Sequence, residues 1–191
     1  MKRTTLLFAL SVFSIFLFSG CDKLKEQKFS TTIEVRFPVT ASAENPGEMI
    51  IDLSQLADVL EKNPELAEHK DKIKSYSLVG IKYKVFEYWN SPESALNNPA
   101  TTFNGSIGFG SKDMSAPGVE YLIENLSLQE SMNQTDLSVM TLDNSVISQI
   151  QQFFLDTDAL KLFLKGTISQ NPVDFTVYMQ IDVDAIAEVK K

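Results

Sequence analysis

The chain has 191 residues, a single cysteine, a single histidine and a formal net charge of −8. A surface this acidic, with no run of Lys or Arg, repels the phosphates of nucleic acids and anionic lipids, so nucleic-acid binding is excluded from the expected functions. A lone thiol has no partner for an intrachain disulfide and cannot build a thiolate metal site, which leaves core packing to hold the fold.

The chain opens on a basic head (Lys2, Arg3), an apolar run from Leu6 to Phe18 and a small-residue end (Ser19, Gly20), the build of a secretory signal. The apolar run is well short of the ~20 residues that a helix needs to cross a hydrocarbon core of about 30 Å. Phe18-Ser19-Gly20-Cys21 then sets the only cysteine directly behind small residues. This stretch resembles the lipobox of bacterial lipoproteins, which usually carries Leu, Val or Ile where this chain has Phe18. The resemblance covers residues 1–21 only. It implies a diacylglycerol on the Cys21 thiol, loss of residues 1–20, and a cell-envelope protein held to its membrane by two or three acyl chains, at about 0.8 kcal/mol per buried methylene. Processing would remove two basic residues and no acids, leaving 15 Lys+Arg against 25 Asp+Glu and a net charge near −10. Asp22 resembles the inner-membrane retention signal of enterobacterial lipoproteins. Other lineages do not follow that rule, and the outer membrane is the expected location.

Residues 21–28 are charged, lack apolar periodicity and read as a tether. From Phe29 the pattern changes. Phe29, Thr31, Ile33, Val35, Phe37 and Val39 alternate with polar residues, which predicts a half-buried strand, with Pro38 marking an edge or strand end. A turn follows at Asn45-Pro46-Gly47. Asp52 or Ser54 can cap a helix that gathers Leu53, Leu56, Ala57, Val59 and Leu60 on one side. Pro64 opens a second helical turn running to about Ile73.

Tyr76 to Trp89 carries the longest strand signal, with Val79, Ile81, Tyr83, Val85 and Trp89 on one face and Lys82, Lys84, Phe86 and Tyr88 on the other. Residues 90–99 read as a loop. Thr101 to Gly110 and Val119 to Leu128 read as strands, and Gln129 to Asp143 is polar without a clear period. Val146, Ile147, Ile150, Phe153 and Phe154 share one helix face. Two alternating runs, Leu160 to Ile168 and Val173 to Val183, flank a turn at Asn171-Pro172 and predict a terminal hairpin. The expectation is one globular domain over residues 29–191. Its fold class is mainly β, a β-sandwich of antiparallel strands with two or three short packed helices. The alternative is an α+β fold with helices on one face of an antiparallel sheet. A helix followed by two strands occurs twice, near residues 53–110 and 146–184, which raises duplication as a speculation.

Candidate chemistry is sparse. His69 lies in a charged helical stretch four residues from Glu65, and no G-x-S-x-G elbow occurs, so it reads as a surface histidine rather than a catalytic base. Gly105, Gly108 and Gly110 have the reverse spacing of a dinucleotide fingerprint and sit inside a strand pattern, so they read as a bulge or bend. Asp156/Asp158 and Asp182/Asp184 are the closest carboxylate pairs. They lack the further oxygen ligands and the glycine of a calcium loop, and no metal or other cofactor is expected. Phe86, Tyr88 and Trp89, at a strand end beside a loop, are the candidate ligand-binding residues, because an aromatic body with a polar tip can stack on a sugar or anchor a protein. The expected function is a non-catalytic binding or structural module with a protein or glycan partner. One alternative is a carrier of a small apolar ligand or glycan, held between sheet and helices in a sizeable apolar cavity. The other is a carboxylate-based glycan hydrolase with two acids across a cleft.

Overall fold

The computed structural model describes residues 24–41, 49–89, 100–169 and 173–190. Cys21, and with it the expected lipidation site, lies outside the described residues, as do the loop at 90–99 and the turns at 45–47 and 171–172.

Alternation of apolar and polar side chains makes a strand with one dry face. The described residues form eight strands: β1 (Leu24–Ala41), β2 (Met49–Asp58), β3 (Ile73–Trp89), β4 (Thr102–Ser111), β5 (Val119–Ser127), β6 (Ser138–Val139), β7 (Ala159–Ile168) and β8 (Val173–Lys190). They form two antiparallel four-stranded sheets, ordered β1-β8-β3-β6 and β2-β7-β4-β5. The mainly β, sandwich-like fold expected from the sequence is the fold observed. Almost every connection carries the chain from one sheet to the other, and this order of strands in two facing sheets is the jelly-roll arrangement. Phe37, Ile33 and Phe175 of the first sheet and Phe103, Ile107, Phe109 and Leu164 of the second are all at most 1% exposed, so large side chains fill the space between the layers.

The helices are short and local. Asp58 caps α1 (Val59–Lys62), accepting from the Leu60 and Glu61 amides at 2.9 and 3.0 Å. Asn63 caps α2 (Pro64–Ala67), and a 3₁₀ turn spans Lys70–Lys72. Ser127 caps α3 (Leu128–Asn133), which leans mainly on β3. Asp143 caps α4 (Asn144–Thr157), whose Ile150 and Phe154 are fully buried and which touches β3 in one sheet and β4 and β7 in the other.

Several expectations change. Leu24 to Lys28 are not tether: they pair with Lys190 to Ile186 at the start of β1. Residues 49–58 are strand rather than helix. Ile51, Leu53, Ala57 and Val59 satisfy a period of two as well as a helical one, and pairing with β7 along the whole segment decides for the strand. The terminal hairpin does not exist, because β7 and β8 belong to different sheets, as do β3 and β4. A short link does not require a hairpin. Four residues separate Ile168 from Val173 in the sequence, and a four-residue link at about 3.3 Å per residue is long enough for the ~10 Å between packed sheets. Without those hairpins the suggested duplication loses its basis. The polar stretch at 129–143 holds most of α3 and the two-residue strand β6.

Candidate binding face

In the first sheet, β8 runs between β1 and β3, and the register aligns three side chains in each row of the outer face. Ser30, Asp184 and Ser77 share one row, Glu34, Gln180 and Lys82 another, then Arg36, Tyr178 and Lys84, and then Pro38, Thr176 and Phe86. The odd-numbered residues of β1 and β8 fill the core, so these even-numbered ones point away from it.

One half of this face satisfies itself. Asp182 accepts from Thr32 Oγ1 at 2.7 Å and Gln180 Nε2 at 3.1 Å, with Lys82 Nζ at 3.4 Å. Burial pushes the Asp182 carboxyl up, but these three donors outweigh it and hold the group below the usual carboxylate range. Asp184 takes Lys28 Nζ at 2.7 Å and Ser30 Oγ at 2.6 Å, and these bonds likewise lower it. The two aspartates therefore brace neighbouring strands on an open face, where a hydrolase would set them across a cleft.

The other half is aromatic and cationic. The Arg36 guanidinium carbon lies 5.7 Å from the Phe86 ring centroid and 5.9 Å from that of Tyr178, so the cation spans two rings on different strands. Burial pushes the Tyr178 phenol up, and a hydrogen bond to the Glu34 carboxylate adds to the rise by keeping the proton on the phenol. Phe86 remains 43% exposed. Lys84 donates to the backbone oxygen of Gln134 at 2.7 Å, and Gln134 to Ser138 line an open depression of about 370 Å³ beside this edge.

Of the three aromatics singled out in the sequence, only Phe86 is shown on this surface. Glu87 adopts φ 57 and occupies a bulge between Phe86 and Tyr88. The extra residue reverses the alternation and turns Tyr88 inward, where it is 2% exposed. A second irregularity between Leu78 and Gly80 leaves Val79, expected on the apolar face, 62% exposed. Trp89 ends β3 opposite Asp174, and its side chain lies outside the described residues. Sequence reading missed Arg36 and Tyr178. Each sits at a polar parity of its own strand, but nothing local indicates that β8 separates β1 from β3.

The remaining candidates are structural. His69 is half-buried, its ring 5.9 Å from that of Phe29. Gly105 lies at the bulge after Phe103, against Gly166. Gly108 and Gly110 leave room for Pro117, Met114 and Phe163. Asp156 takes the Gln152 amide at 2.7 Å and Asp158 the Tyr76 hydroxyl at 2.7 Å, so the pair serves two different contacts. Among the described residues no group of three or more His, Cys, Asp or Glu gathers as metal ligands.

No protein-family model and no curated protein matches the chain. Solved structures similar to it include that of Desmodium yellow mottle tymovirus, at 10% identity over 88% of this chain and 84% of the other, with a TM-score of 0.35. Turnip yellow mosaic virus matches at 10% identity over 86% and 97% with a TM-score of 0.37, and the BFDV capsid protein at 8% over 84% and 99% with a TM-score of 0.33. Likeness at this level carries nothing about function.

Proposed function

We propose that the protein is a non-catalytic binding module of the bacterial cell envelope, held to the outer membrane by lipid on Cys21 and engaging its partner through the outer face of β1, β8 and β3. The observation that carries the binding role is the exposed pair of Phe86 and Arg36 beside the half-buried Tyr178 ring. Aromatic residues and arginine are the types enriched at interface centres, and here they share one open surface. The filled space between the sheets speaks against an apolar carrier cavity there, and the aspartates, each already bonded to nearby hydroxyl, amide or lysine groups, speak against paired-acid hydrolysis.

Two measurements test this reading. A metabolic palmitate analogue should mark the wild type and leave Cys21→Ala unmarked and released from membranes; equal marking of both would remove the anchor. Phenylglyoxal should modify Arg36 readily in the purified chain and several-fold less in isolated envelopes. Equal modification in the two settings would mean that this face is uncovered in place.

A further inference from the structure

We infer that Arg36 is the point at which this module recognises carboxylates on an acidic segment of a partner protein. This rests on the outer face being the binding face and names what that face takes. Arg3 and Arg36 are the only arginines in the sequence. Arg36 is thus the single guanidinium of the folded domain, exposed on a protein whose other charges are mainly acidic.

The guanidinium carbon lies within 6 Å of the Phe86 and Tyr178 ring centroids. Arg36 forms no ion pair with any carboxylate among the described residues, although acids are close in sequence and register. Glu34, two residues away on the same face, lies near the Tyr178 phenol and helps to keep the proton there. Asp182 is engaged by Thr32, Gln180 and Lys82, and Asp174 accepts from Thr40 at 3.2 Å. Glu87 sits in the bulge beside Phe86. A guanidinium beside two rings and without an acid of its own domain is available to a planar carboxylate, which its N–H fork matches. Lys84, across Tyr178 from Arg36, gives its hydrogen bond to a neutral carbonyl rather than to an acid, so a second cation faces the same ligand.

Charge complementarity selects an anion, and the rest of the face selects a protein over a glycan. Sugars need many free hydrogen-bonding side chains around an aromatic ring. Here Ser30, Thr32, Thr40, Gln180 and Lys82 are already bonded to aspartates of β8. Around Arg36 the face offers the Phe86 ring, the Thr176 hydroxyl and a second cation, Lys84, whose hydrogen bond goes to a neutral carbonyl. That suits an acidic side chain next to an apolar one.

The test uses the processed, nitrogen-15-labelled chain in detergent. Loss of residues 1–20 leaves Arg36 as its one arginine, whose Nε–H signal is assigned by Arg36→Lys. The probes are a short peptide alternating Glu and Tyr, its Gln-for-Glu counterpart, and an oligogalacturonate. The acidic peptide should shift the Arg36 Nε–H and the Phe86 and Tyr178 amides. The Gln peptide should bind about tenfold or more weakly, and Arg36→Lys, which keeps the charge without the fork, should lose the effect. Equal shifts from the Glu and Gln peptides would overturn carboxylate recognition while leaving the binding face standing. Shifts from the oligogalacturonate alone would assign the site to a glycan and overturn the inference. No shift on this face from any probe would overturn both readings.

Discussion

At the scale of single residues, space and charge decide which positions tolerate change. A Cβ on Gly105 would lie 2.1 Å from the Lys165 carbonyl oxygen and 2.7 Å from Gly166 Cα, so the neighbouring backbones would have to part. Gly105→Ala should lose about 1–3 kcal/mol of stability in urea unfolding. Gly80, where a Cβ would meet nothing within 4 Å, should accept alanine with a change within roughly 0.5 kcal/mol. Equal effects at the two sites would contradict the close approach of β4 and β7. The depressed carboxyls of Asp182 and Asp184 fix a pH response. Their folded values lie below the unfolded value of about 3.9. Their contribution is therefore present above that value and lost as pH falls through the folded ones. Asp182→Asn should lose less stability than the wild type between neutral and acid pH, measured as urea midpoints, and parallel losses would count against the bracing role. Phe86 was legible as a surface aromatic because it shares a parity with Lys82 and Lys84. Its partners were not: Arg36 and Tyr178 reach it only through long-range pairing, and the Glu87 bulge that removes Tyr88 leaves no local mark in the sequence.

At the scale of elements, β3 is the strand whose support is least regular. β8 pairs along nearly all of it, whereas β6 covers only Lys82 and Tyr83 on the other side. Helix α3 supplies part of what is missing: Ser131 Oγ accepts the Val85 backbone N–H at 3.0 Å in a buried setting. Ser131→Ala should cost about 1–3 kcal/mol by leaving that donor unsatisfied, and should speed hydrogen exchange at the Val85 amide. Unchanged exchange would show that the amide has another acceptor. The strands of residues 29–39 and 173–183 and the helix at 144–157 were readable because each has one dry face with a single clear period. The segment at 49–58 was not, since its apolar residues fit two periods. Sheet membership was also hidden, because alternation says that a strand has a dry face but not which sheet it joins.

At the scale of the whole molecule, the jelly roll places both long strands of the outer face, β1 and β8, with their paired ends at Leu24 and Lys190. The expected tether from Cys21 shrinks to Cys21–Lys23, at most ~10 Å when extended. If Cys21 carries lipid, the domain stands with this end against the headgroups and the Phe86 face turned sideways, open to a neighbour in the same envelope. The most direct test places a photo-reactive benzoylphenylalanine at position 86 and, separately, at the 69%-exposed Leu122 of the opposite sheet, in intact cells. Position 86 should yield a discrete cross-linked adduct that Arg36→Lys diminishes, and position 122 none. Equal adducts from both positions, or an adduct from position 122 alone, would contradict the assignment of the outer β1-β8-β3 face as the binding face.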